Sequence, residues 1–175
     1  MDLDKKYWNK RYNELDIGWN VGYITNPILE YFSQIKDKKL RILIPGSGYS
    51  HEGEYLYNNN FINTHILDFS SIALSNFKKR MPEFPEAQII EKDYFDLEDK
   101  FDMIVEQTFF CAIDIKKRKS YIKKTYDLLE KNGKIVGLFF DNKFNNNKPP
   151  FGCSKVEYLR LLKPYFNILT FDKCY

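Results

Sequence analysis

The chain has 175 residues, 43% of them apolar, with 27 lysines and arginines against 24 aspartates and glutamates. That length suits one domain with a continuous core, and the near-balance of charge gives no electrostatic case for nucleic acid as a main partner. Three widely separated cysteines, Cys111, Cys153 and Cys174, show no C-x-x-C spacing, which argues against a disulfide framework or a zinc site and fits a reducing compartment.

No apolar run approaches signal-peptide or membrane-spanning length, so a soluble, cytoplasmic protein without membrane partners is expected. The high aromatic fraction, 17%, points to a deep apolar core or an aromatic-lined pocket.

In chain order, the first element signal is Asn26-Pro27. A capping side chain followed by proline at the first helical position opens a helix through Ile28-Leu29-Glu30-Tyr31-Phe32. Residues 40–45 form a nearly continuous apolar run, as expected for a central strand covered on both faces. Residues 64–69, 87–90, 101–107, 134–140 and 166–171 supply five further candidate strands. Helices alternate with them: one from about Glu52, one capped by Ser70-Ser71 and running to Met81, and one over 116–131 capped by Asp114. Ser154-Lys155-Val156-Glu157 has the form of a capping box, opening a last helix that stops near Pro164. Residues 141–150, with four asparagines and Pro149-Pro150, read as a loop. The alternation predicts an α/β fold on a mostly parallel, six-stranded sheet, in one domain over 1–175.

Strand 40–45 runs into Pro45-Gly46-Ser47-Gly48-Tyr49-Ser50-His51. A Gly-x-Gly turn ahead of a helix lets a ligand approach the backbone, although ordinary tight turns share the pattern and Ser50 stands at the third glycine of the dinucleotide fingerprint. Asp68, at the end of the second strand and about 20 residues on, is placed to accept hydrogen bonds from ribose hydroxyls. Asp93 follows the third strand and suits an adenine amino group, with Tyr94 or Phe95 against the ring; its alternative is a loop carboxylate or helix cap. Glu106 ends the fourth strand in an apolar run, where a carboxylate needs a partner such as an amino-acid ammonium. Carboxylates at successive strand ends beside a glycine turn fit a nucleoside with a zwitterionic tail better than a dinucleotide, whose pyrophosphate favours the fuller glycine set.

These residues are similar to those of the thiopurine methyltransferase family within the class I S-adenosylmethionine-dependent methyltransferases, over nearly the whole chain. Trp8-Asn9-Lys10-Arg11-Tyr12, then Gly18-Trp19-Asn20 and Pro27, resemble its N-terminal signature, whose tryptophans Trp8 and Trp19 would help cover the cofactor from a segment spanning 1–36. Pro45-Gly46-Ser47-Gly48, Leu67-Asp68-Phe69-Ser70 and Asp93-Tyr94-Phe95 resemble its three cofactor motifs. Phe109-Phe110-Cys111-Ala112-Ile113 with Arg118 and Tyr121, and Lys148-Pro149-Pro150-Phe151, resemble its substrate segments. The likeness is to the branch acting on halides and small thiols, since Gln107 stands where the mammalian thiopurine enzymes carry arginine. Phe140, Asn20 and Ser47 depart from that branch's usual tyrosine, aspartate and cysteine, which weakens the expectation of halide activity.

The resemblance implies a Rossmann-like fold, S-adenosylmethionine as cofactor, and methyl transfer to a small thiol, halide or related soft nucleophile. The acceptor would be lined by Gln107, Phe109, Phe110, Arg118, Phe140 and Phe151. An in-line displacement by an ionised thiolate needs no general base, so no acid–base dyad and no metal are expected, and Cys111 reads as a small buried residue. The family sheet ends in an antiparallel pair, whereas residues 166–175 allow one strand; an open edge, a homodimer covering it, or a truncation are the alternatives. A cofactor-binding protein without catalysis is the competing reading.

Overall fold

A computed structural model describes residues 2–144 and 146–174. The chain opens with a helix that the sequence patterns above do not anticipate, α1 (Lys5–Asn13), capped by the Asp4 carboxylate, which accepts from the Tyr7 amide at 2.8 Å. There follow α2 (Asn26–Ser33), β1 (Ile42–Pro45), α3 (His51–Asn58), β2 (Thr64–Asp68), α4 (Ser71–Arg80), β3 (Ile89–Glu91), β4 (Phe101–Gln107), α5 (Arg118–Leu128), β5 (Leu129–Leu138) and α6 (Lys155–Leu162).

The five strands pair in the order β3-β2-β1-β4-β5, all parallel. From β1 the chain builds outward to β2 and β3, then returns to lay β4 on the other side. The strand order therefore reverses between β1 and β4, and open α/β sheets bind ligands in the crevice at the carboxyl ends of such a switch.

Alternation along the strands sorts the core into two layers, because successive side chains point to opposite faces. Ile42, Ile44, Ile66, Met103 and Val105 face Ile28, Phe32, Leu56, Leu74 and Phe77 of α2, α3 and α4. Leu43, Leu67 and Ile104 face Tyr121, Ile122, Leu128, Tyr158 and Leu162 of α5 and α6. All four residues of β1 are buried, as its apolar run requires for the middle strand.

Several local readings hold and several are corrected. Ser70 caps α4 by accepting from Ala73 N, and Ser154 and Glu157 form the reciprocal capping box of α6. At α2 the cap position is Thr25 and makes no capping bond; its hydroxyl donates instead to Gln107 Oε1 at 2.9 Å. Asp114 caps a short 3-10 turn, Ile115–Lys117, which leads into α5. Residues 166–171 form no strand. Phe166, Ile168 and Phe171 pack against the α5–α6 layer, with Phe166 on Tyr126 and Phe171 on Tyr158 and Phe139, so the segment buries its side chains by ring contact without a ladder. Among the described residues no helix is long and apolar enough to cross a membrane.

Candidate functional site

At the switch point lies a cleft of about 800 Å³, walled by the β1–α3 turn, the ends of β2 and β4, the turn after β3, and the N-terminal segment around α1. Gly46 and Gly48 hold φ of +56° and +54°, values that L side chains avoid. The space beside them is taken by protein: a Cβ on Gly46 would sit 2.2 Å from the Phe109 ring, and one on Gly48 2.7 Å from the Tyr12 hydroxyl. The glycines thus bring Phe109 and Tyr12 onto the turn, a closer reason for them than the ligand approach the sequence suggested.

Asp68 ends β2 with 6% of its surface exposed. One oxygen accepts from Gly48 N at 2.9 Å and the other from Ser70 N at 2.8 Å, so the carboxylate ties the glycine turn to the start of α4. The Phe69 amide acts on it as well, and lone-pair capacity remains for a ligand hydroxyl. Burial pushes its pKa up to about 6, against the pull of those backbone donors. Beside it the hydroxyls of Ser47 and Ser50 have no partner among the described residues and are enclosed by protein, that of Ser50 beneath α3 against Gly53.

Asp93 accepts from Phe95 N at 2.9 Å, so the capping alternative is realised, and it also lines the cleft together with Tyr94 and Phe95. Tyr94 is anchored by its hydroxyl to Thr125 Oγ1 at 2.7 Å, and Phe95 is covered by the Lys117 ammonium 5.0 Å from its centroid. Opposite, Trp8, Trp19 and Tyr12 pack edge to face, and the Arg11 guanidinium lies 4.7 Å over the Trp19 ring while pairing with Asp16 at 2.9 Å.

The structure brings Trp8, Trp19, Gly46, Ser47, Gly48, Asp68, Phe69, Asp93, Tyr94 and Phe95 to one cleft, with Gln107, Phe109 and Phe140 farther along it. It does not bring Ser70, Glu106, Phe110, Arg118 or Phe151 there. Ser70 is spent on the α4 cap and on a bond to Asn9. Glu106, 1% exposed, accepts from the amides of Phe109 and Phe110 at 3.0 and 2.9 Å and from the Tyr121 hydroxyl. Its need for a partner is met inside the fold, without the ligand ammonium the sequence suggested, and burial still pushes its pKa up to about 7. Phe110 is core, packed edge to face on Tyr121 and tilted against Tyr158. Arg118 is buried with its guanidinium over Phe110, donating to the carbonyls of Phe151 and Gly152 at 3.1 and 3.0 Å; it anchors the loop carrying Pro149 and Pro150. Phe151 is tied by its amide to Cys111 O at 2.7 Å. Cys111 lines the cleft, but burial pushes its thiol up to about 12, far from a nucleophile's range.

Sequence reasoning missed Tyr12, Asn20, His51 and Glu52 as cleft residues. Asn20 Oδ1 holds His51 Nε2 at 2.8 Å and Gly22 N at 3.0 Å, and burial with Arg80 nearby depresses the imidazole's pKa. The signal for His51 and Glu52 was available, since the first helical turn after a strand-one glycine turn faces the switch point. Among the described residues no cluster of His, Cys, Asp and Glu could hold a metal ion.

A parallel sheet with β1 at its centre and a nucleoside-sized crevice at the reversal defines a class I methyltransferase architecture. The chain belongs to the thiopurine S-methyltransferase family, whose profile matches residues 3–174. These are methyltransferases that use S-adenosylmethionine. The chain is 27% identical over 164 residues to the probable thiol methyltransferase 2 of Arabidopsis thaliana, covering 90% of this chain and 71% of that protein. It is 27% identical over 179 residues to the thiopurine S-methyltransferase of Photobacterium profundum, covering 91% and 82%. Among solved structures, the magnesium protoporphyrin IX methyltransferase of Synechocystis PCC 6803 with bound S-adenosylmethionine superposes with a TM-score of 0.73 at 10% identity, over 94% of this chain and 86% of that one. The 1,6-didemethyltoxoflavin-N1-methyltransferase of Burkholderia thailandensis gives 0.74 at 11%, over 93% and 76%. At such identities the likeness is one of fold.

Proposed function

We propose that the chain transfers a methyl group from S-adenosylmethionine, held at the glycine turn, to a small, soft and uncharged or singly anionic acceptor such as a thiol. The observation that carries the acceptor class is the mostly apolar wall formed by Gln107, Thr108, Phe109, Cys111, Ala112, Phe140, Pro149 and Pro150, whose charged neighbours Asp114 and Lys117 are engaged with the Lys116 amide and the Phe95 ring. An acceptor with several fixed charges would be desolvated there without a counter-ion. Gln107, steadied by Thr25, offers its amide N–H₂ to an acceptor atom.

The cleft's donors and acceptors fit the cofactor. Asp68 keeps lone-pair capacity for ribose hydroxyls, and Asp93 with Tyr94 and Phe95 suits a purine. When bound, S-adenosylmethionine supplies an electrophilic methyl on a sulfonium. The residues' part is to bind, align and exclude water. Holding an acceptor in line contributes up to roughly 7–11 kcal/mol, and the Trp8–Trp19–Tyr12 cluster of the N-terminal segment covers the cleft from solvent. No side chain at the acceptor wall is poised as a strong base, which suits an acceptor that arrives ionised.

The test is a screen with S-adenosylmethionine labelled in the methyl group against small thiols, selenols and halides. Label transfer to thiols or selenols is expected; binding of the cofactor with no transfer to any acceptor would favour a binding protein without catalysis.

A further inference from the structure

With Glu106 withdrawn into the fold, the cleft needs another account of its charge. Of the carboxylates on its wall, Asp4, Asp93 and Asp114 each accept from a backbone amide of the turn they cap. Asp68 accepts from two, and Asp16 pairs with Arg11. Asp2 is exposed. Glu52 differs from all of these. It lies in the first turn of α3, directly beyond the glycine turn, lines the cleft, and has 8% of its surface exposed. Among the described residues it takes part in no ion pair and accepts no hydrogen bond from another residue; its own backbone amide is the donor it meets.

A first-turn glutamate gains from the helix macrodipole wherever it points, and an exposed one gains it without losing water. Burial on a cleft wall without a counter-ion is costly, and a cation arriving from the cleft removes that cost. Among the described residues no cation pairs with Glu52: Arg11 meets Asp16 and the Trp19 ring, Lys5 meets Glu91, Lys117 lies over Phe95, and Arg80 meets Glu54 and the Tyr49 carbonyl. The wall therefore presents a carboxylate without a protein counter-ion, the complement of a ligand ammonium.

We infer that Glu52 receives the ammonium of the cofactor's amino-acid tail. This rests on the cofactor reading given above. It is tested by calorimetric titration of the whole chain and of Glu52→Gln with two adenosyl thioethers. S-adenosylhomocysteine carries the amino-acid tail and no sulfonium; 5′-methylthioadenosine lacks the tail.

Glu52→Gln is expected to weaken S-adenosylhomocysteine about 10- to 100-fold, the scale of a hydrogen bond to a charged group. It should leave 5′-methylthioadenosine within about threefold, and Glu52→Asp should recover part of the loss. The unliganded Glu52→Gln protein is expected to unfold at or above the parent's temperature, since an unpaired buried charge has been removed. No loss for either ligand, or an equal loss for both, overturns the inference while leaving the cofactor reading intact. A parent that binds neither ligand overturns both.

Discussion

The two ends of the cleft are built from the same kind of sequence signal and turn out differently. At the β1–β2 end, Gly46, Gly48, Asp68 and Asp93 all reach the cleft, although Asp68 and Asp93 also serve backbone amides. At the β4–α5 end, Glu106, Phe110, Arg118 and Phe151 turn away from it and knit strand, helix and loop together. The role of a carboxylate at a strand tip is thus set by the path the chain takes beyond it. After β2 the chain leaves through two amides that take one lone pair from each Asp68 oxygen. After β4 the positive φ of Thr108 folds the chain back, so that two amides and the Tyr121 hydroxyl converge on Glu106.

Substitutions that separate cleft from scaffold sharpen this contrast. The largest effect is expected for Phe110→Ala, which leaves a cavity among Tyr121, Phe139 and Tyr158 and should cost about 3–5 kcal/mol in denaturant unfolding. Cofactor affinity of the folded fraction should be unchanged; a lost affinity at unchanged stability would return Phe110 to the cleft. Next, Asp68→Ala should weaken the cofactor by at least about 100-fold in a calorimetric titration, because it removes the ribose acceptor and frees the turn. Unchanged affinity would break the β1–β2 half of the comparison.

A pH series probes Glu106. Its folded pKa, about 7, lies above the ordinary glutamate value of 4.5, so the folded state binds the proton more tightly. That contribution to stability is fully present below about pH 4.5 and is lost as pH rises through about 7, a span on the order of 3 kcal/mol. Asp68 acts in the same sense with a folded value of about 6. Glu106→Gln should flatten the fall in unfolding free energy between pH 5 and 7; an unaltered slope would mean that the group is ionised at little cost. The smallest effect is expected for Thr25→Val, which removes one hydrogen bond to Gln107 and should cost about 1 kcal/mol. It should raise the acceptor KM with kcat and cofactor affinity little changed, and a loss of cofactor affinity would place Gln107 at the wrong end of the cleft.

Much of the fold is legible in the sequence because strand periodicity and caps are local. The apolar run of β1, the Ser70 cap and the Ser154–Glu157 box each need only neighbouring residues. The strand expected over 166–171 shows the limit: Phe166, Ile168 and Phe171 have a strand's composition, yet the rings of Tyr126, Phe139 and Tyr158 offer them burial without a ladder. The α1 helix is hidden in the sequence because it is mostly polar, with Tyr12 its buried residue, and its start rests on the single cap at Asp4. In the site, the glycine turn and Asp68 are legible as a motif. The commitment of Glu106 and the isolation of Glu52 are not, since both depend on long-range neighbours such as Tyr121, or on their absence.

The cofactor's seat between the glycine turn and the Trp8–Trp19–Tyr12 cluster is tested most directly by a crystal structure of the chain grown with S-adenosylhomocysteine. Ligand density with the ribose on Asp68 and the adenine beside Asp93 is the predicted result. Density at another surface, with this cleft containing only water, would contradict it.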